Sequence, residues 1–198
     1  MPMMKKTIGL SLLVVLCEYA IYVWSGDVSP EPGIYFQLAA RYSARVSFLL
    51  FAGILCWTGI RGLKHIYAEE QRRQLFVSLL FLLALNHLIH FYFLAMNFET
   101  RGMELREFKN LPGAVAYIVL TLSPFFLWNK KELTRSRYQI IISGFALVTA
   151  LFIGTYVKRS LQNLEIPMSN YLIVGNLAIL TSLVIINIFR IRSEKNLK

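Results

Sequence analysis

The chain has 198 residues, 56% of them hydrophobic and only 16% charged, with a mean hydropathy of +0.53. Soluble domains of this size carry roughly a quarter charged residues, so the composition argues against an ordinary water-soluble enzyme domain and for a membrane protein. The formal charge of +10 would suit nucleic acid, but Lys and Arg cluster at the ends of apolar runs and form no basic stripe interleaved with aromatics, so no nucleic-acid partner is expected and the lipid bilayer is.

The first apolar run covers residues 7–24 and follows Lys5 and Lys6. It has the look of a signal peptide, but no small-x-small cleavage site follows it and Leu16-Cys17 lacks the small residue of a lipoprotein signal, so a retained first helix is expected. Further runs cover 42–60, 75–96, 113–128, 138–157 and 171–189. Each is long enough to cross, or nearly cross, a hydrocarbon core of about 30 Å. Pro30, Pro32, Pro112 and Pro167 are assigned to the connections, where they break helices, and Pro124 lies inside the fourth helix. Cys17 and Cys56 lie in apolar segments without a CxxC pair and behave as small hydrophobes. No internal repeat or soluble segment appears. The predicted fold is all-α: a single polytopic domain, 1–198, forming a six-transmembrane-helix bundle.

Orientation follows from the 21 Lys and Arg residues. Fourteen fall on one side: Lys5, Lys6, Arg61, Lys64, Arg72, Arg73, Lys130, Lys131, Arg135, Arg137, Arg190, Arg192, Lys195 and Lys198. Seven fall on the other: Arg41, Arg45, Arg101, Arg106, Lys109, Lys158 and Arg159. The positive-inside rule places the richer side, with both termini, in the cytoplasm.

Ionisable groups at membrane depth are rare and face the bundle interior or a partner. Counting about 1.5 Å per residue from the nearest cytoplasmic charge puts Glu18 roughly 18 Å, His87 roughly 21 Å, Arg45 roughly 24 Å and His90 roughly 25 Å up. Asn86 and Asn176 fall in the same layer. His87 and His90, spaced i, i+3, share a helix face and could ligate a haem iron, relay protons or hydrogen-bond across the bundle. Arg41 and Arg45, spaced i, i+4, could hold an anionic group such as haem propionates; alternatively Arg45 pairs with Glu18 while Arg41 snorkels to the headgroups. A Glu18/His87 proton relay in a small transporter ranks last, because no inverted repeat accompanies it. His65, beside Glu69 and Glu70, is expected in a solvated cytoplasmic loop.

The segment Arg41-Tyr-Ser-Ala-Arg45-Val-Ser-Phe-Leu-Leu-Phe51, followed by Arg72-Arg73 and by Asn86-His87-Leu-Ile-His90, resembles the ferric reductase-like transmembrane domain family. It is most similar to short bacterial members without flavin or nicotinamide domains. The resemblance covers about Arg41 to Arg159. It implies haem b held between the third and fifth helices by one histidine on each, with His87 or His90 as a ligand to the haem iron and Arg41 and Arg45 as propionate partners. It also implies electron transfer across a bacterial inner (plasma) membrane, at most as the membrane subunit of an oxidoreductase, with electrons from quinol or a redox partner protein. The fifth run, 138–157, contains neither histidine nor methionine, so the second axial histidine is absent. The sequence leaves a five-coordinate haem, a sixth ligand such as Tyr156 or Met168, or a haem-free, non-enzymatic multi-pass membrane protein that retains the fold as a scaffold or partner subunit.

Overall fold

In the computed structural model, residues 2–102, 111–128, 132–162, 179 and 182 are described, and among them there is no strand. The helices are α1 (Pro2–Val28), α2 (Pro32–Arg61), α3 (Leu63–Ala68), α4 (Glu70–Thr100), α5 (Leu111–Leu127) and α6 (Arg135–Gln162). Four of them contain stretches long and apolar enough to cross a membrane: Thr7–Val28, Pro32–Arg61, Glu70–Thr100 and Arg135–Gly154. A shorter apolar stretch, Ile118–Leu127, lies in α5. The described part of the chain is all-helical, and its apolar helices mark a membrane protein. The predicted sixth helix, 171–189, lies outside the described residues except for 179 and 182.

The helices α1, α2, α4 and α6 extend beyond their apolar runs at both ends, because polar end turns remain helical where they leave the hydrocarbon. Pro32 and Pro112, assigned above to connections, instead stand in the first turns of α2 and α5. A missing N–H costs nothing there, since the first-turn donors lack intrahelical partners anyway. Pro124 does lie inside α5. Gly62 (φ 78°) separates α2 from α3 and Gly102 (φ 63°) follows α4. Both adopt the positive φ that favours glycine, and no neighbour crowds Gly102, so conformation rather than space selects that residue. Thr134 caps α6, its Oγ1 accepting the Arg137 N–H at 3.4 Å. The expected cytoplasmic loop around His65 is the short helix α3, on which His65 is exposed.

The chain divides into two compact units. The first comprises Met1–Phe51 and Gln71–Lys130. Within it α1 is inside out compared with a helix of a soluble protein. Its buried residues are Glu18 and Ser25, and the half-buried Thr7, Ser11, Val14 and Ile21 continue the same stripe at spacings of three and four. Leu13, Leu16 and Tyr19 are more than 60% exposed on its other faces. Polar inward and apolar outward is the pattern that lipid selects. Phe36, Ala39 and Ala40 of α2 and Phe93 of α4 form a core cluster, against which Ile21 of α1 packs. The two alanines let the helices approach closely. The contacts Thr7–Ser78 and Tyr22–Phe93 run α1 and α4 parallel, while Phe36 against Phe93 and Gly33 bonded to Arg101 run α2 antiparallel to α4. Phe81 of α4 meets Phe125 of α5 with ring centroids 6.1 Å apart.

The second unit comprises Ala52–Glu70 and Lys131–Lys198. Its buried residues include Ile54 and Leu55 of α2, Leu63, Ile66 and Tyr67 of α3, and Ile141, Phe145 and Val148 of α6. The buried hydroxyls of Thr58 and Thr149 donate to the carbonyls of Leu55 (2.9 Å) and Phe145 (2.7 Å) on their own helices. In this way a polar side chain is buried without a cross-helix partner.

Candidate functional site

The polar positions of the first unit converge on one connected group. Asn86 of α4 is fully buried and bonds on both sides. Its Nδ2 donates to Glu18 Oε1 on α1, and its Oδ1 accepts from Ser47 Oγ on α2 at 2.6 Å. The Ser47 oxygen in turn lies 3.2 Å from His87 Nδ1. Glu18, Ser47 and His87 are 1%, 0% and 6% exposed, so the chain of bonds runs through the buried interior.

With the Asn86 amide in this orientation, the pattern of donors sets the imidazole tautomer. Ser47 has one proton and spends it on Asn86, so towards His87 it can only accept. His87 Nδ1 therefore carries the proton, and the ring's basic site is Nε2. Every donor along the path points towards Glu18.

Glu18 Oε2 and Ser43 Oγ are both buried without a hydrogen-bond partner among the described residues. Ser43 lies alongside the carboxyl but does not complete a bond to it. The expected partner of Glu18, Arg45, is not the group that bonds it. Arg45 is exposed, with its guanidinium carbon 4.5 Å from the ring centroid of Tyr42 on its own helix. Arg41 is exposed as well.

Of the sequence-predicted residues, Glu18, Asn86 and His87 come together, and His90 stands beside them half-buried, its ring centroid 5.7 Å from that of His87. Asn176 and Met168 lie outside the described residues, as does the side chain of Tyr156. Ser43 and Ser47 were not anticipated, although their i, i+4 spacing one turn from the small residues Ala39 and Ala40 marks a helix-packing face.

The described residues do not supply the bis-histidine ligation of haem implied by the family resemblance. Bis-histidine ligation needs imidazoles on opposite faces of the macrocycle. His87 and His90 stand one turn apart on one helix face, and the remaining histidine of the three in the chain, His65, belongs to the second unit. Among the described residues no three of His, Cys, Asp and Glu gather as a metal-binding group.

At the end of the first unit that lies away from Lys5 and Lys6, Arg101 follows α4 and donates from Nε and Nη2 to the Gly33 carbonyl, both at 3.3 Å. It also bonds Gln37 Oε1. This clasp ties the start of α2 to the end of α4 and borders a shallow, open depression lined by Glu31, Pro32, Gly33 and Thr100.

Comparison of the chain with protein-family models, with curated proteins and with solved structures finds no match in any of the three.

Proposed function

We propose that this chain is a haem-free, non-enzymatic multi-pass membrane protein, a scaffold or partner subunit that keeps a ferric reductase-like bundle of six helices. The observation that carries this reading is the network Glu18–Asn86–Ser47–His87, whose members bond to one another across three helices. A polar group in hydrocarbon needs a partner, so such a network fixes which faces of α1, α2 and α4 meet. The same reading places the chain in a bacterial plasma membrane, single-domain, with both termini in the cytoplasm, on the strength of the Lys and Arg asymmetry.

A second reading is favoured by one specific observation. An imidazole that donates from Nδ1 and is basic at Nε2 is the form that metal-ligating histidines use, with Ser47 as the orienting acceptor. In that reading His87 holds haem b as its one histidine ligand, Arg41 and Arg45 on α2 are the propionate partners, and the chain transfers electrons from quinol or a redox partner protein. The visible absorption spectrum of the detergent-purified protein, expressed with haem supplied, separates the two. The first reading expects no Soret band in stoichiometric amount. A high-spin spectrum selects the second reading. A low-spin b-type spectrum abolished by His87→Ala or His90→Ala overturns the first and reveals a sixth ligand.

A further inference from the structure

The network just described has a property that a static helix lock does not need: its polarity can be reversed. As it stands, His87 Nδ1–H donates to Ser47, Ser47 O–H donates to Asn86 Oδ1, and Asn86 Nδ2–H donates to Glu18 Oε1. Each middle member can run the other way. A serine hydroxyl both donates and accepts, and a carboxamide turned by half a revolution exchanges its oxygen and nitrogen in place.

We propose that Glu18 and His87 are the two ends of one reversible hydrogen-bond chain, so that a proton bound at Glu18 decides which nitrogen of His87 is protonated. With Glu18 ionised, its oxygen accepts from Asn86 Nδ2 and the chain holds His87 in the Nδ1–H form. With a proton on Oε1, Glu18 donates to Asn86 Oδ1 after the amide has turned. Asn86 Nδ2 then donates to Ser47 Oγ, and the Ser47 hydroxyl turns to donate to His87 Nδ1. That last bond needs a lone pair on Nδ1, so His87 releases its Nδ1 proton to water and takes one from water at Nε2. The balance is one proton gained by the protein, at Glu18, with His87 neutral in both states.

The surroundings suit such a device. Among the described residues, the polar groups recorded beside Glu18 are Asn86 of α4 and Ser43 of α2, and the chain continues from Asn86 through Ser47 to His87 without a fixed charge. Arg41 and Arg45 are exposed on α2 and do not bond the carboxyl. Protonation of Glu18 therefore changes the local charge by a full unit, with no salt bridge to it among the described residues. Among the described residues Oε2 is buried and completes no hydrogen bond, although the Ser43 hydroxyl lies alongside the carboxyl. The proposal rests on the haem-free reading, because an iron on Nε2 would lock the proton on Nδ1.

The test is magnetic resonance on the full-length protein in lipid nanodiscs, made with 15N-histidine and 13C-glutamate. The His87 signal is assigned by its loss in His87→Gln and that of Glu18 by its loss in Glu18→Gln. Pyrrole-type and pyridine-type ring nitrogens resonate in separate ranges, as do ionised and protonated carboxyls. At every pH sampled, ionised Glu18 is expected with Nδ1–H His87 and protonated Glu18 with Nε2–H His87. In Ser47→Ala the correlation is expected to disappear while the protein still elutes as the wild type does. A mismatched pair, a doubly protonated His87, or a correlation that survives Ser47→Ala overturns the proposal. A haem spectrum would instead overturn the reading beneath it, and the two failures are recorded by different measurements.

Discussion

At the scale of single residues, Asn86 and Arg45 make opposite predictions despite similar depth. Asn86 bonds both Glu18 and Ser47, so Asn86→Leu leaves a buried carboxyl and a buried hydroxyl without their partner. It is expected to destabilise the bundle by about 1–3 kcal/mol, the penalty for stranding buried polar groups. Arg45 is exposed, and its recorded neighbour is the Tyr42 ring, so Arg45→Gln is expected to cost no more than about 1 kcal/mol. Unfolding titrations in mixed micles of mild and denaturing detergent measure both, and equal losses would sever the network from stability. Glu18, Asn86 and His87 were legible from depth because counting residues along a helix gives height. Height carries no azimuth, which is why Arg45 was matched to Glu18. Arg45 stands two residues from both Ser43 and Ser47, about 200° around the helix from each, and so faces away from the network. The two serines escaped notice because a hydroxyl within an apolar run can bond its own helix, as Thr58 and Thr149 do.

At the scale of the element, α1 shows what a membrane does to helix design. Ser25 is fully buried and its hydroxyl has no partner among the described residues. Ser25→Ala is therefore expected to be neutral or slightly stabilising, since it removes an unsatisfied group. Ser25→Leu, although it raises the hydropathy of the span, is expected to cost about 1–3 kcal/mol by overpacking the stripe. Leu16, at 62% exposed, serves as the control: Leu16→Ala faces lipid and should leave the titration midpoint nearly unchanged. If Ser25→Leu were tolerated as well as Leu16→Ala, the stripe would not be a packing surface. The existence of α1, α2, α4 and α6 was plain from their apolar runs. Their ends were not, because hydropathy stops at the interface whereas backbone hydrogen bonding continues, as at Pro32, which opens α2 well ahead of Tyr42. The short α3 was invisible to the same criterion, since six residues between Gly62 and Glu69 carry no period long enough to detect.

At the scale of the whole molecule, the parallel course of α1 and α4 with α2 antiparallel between them in sequence is what successive crossings of a bilayer produce. Lys5 and Lys6 stand near the start of α1, at the end of the first unit where Thr7 meets Ser78 of α4. Arg101 and Gly33, bonded to each other, mark the opposite side. The expected topology rests on the grouping of fourteen against seven among the 21 basic residues of the sequence, because basic residues in short loops are retained in the cytoplasm. Reporter fusions test the full topology. A fusion after Lys109 is expected to report the outside, and fusions after Arg73 and after Lys198 the cytoplasm. The Lys198 fusion bears most directly on the helix count, because an even number of crossings returns the chain to the side on which it began. Lys109 and Lys198 on one side would mean that an odd number of crossings is missing or extra between them. The span 113–128 would then be the first suspect, since α5 has 17 residues with Pro124 inside it, at the short end of the length that crosses a bilayer.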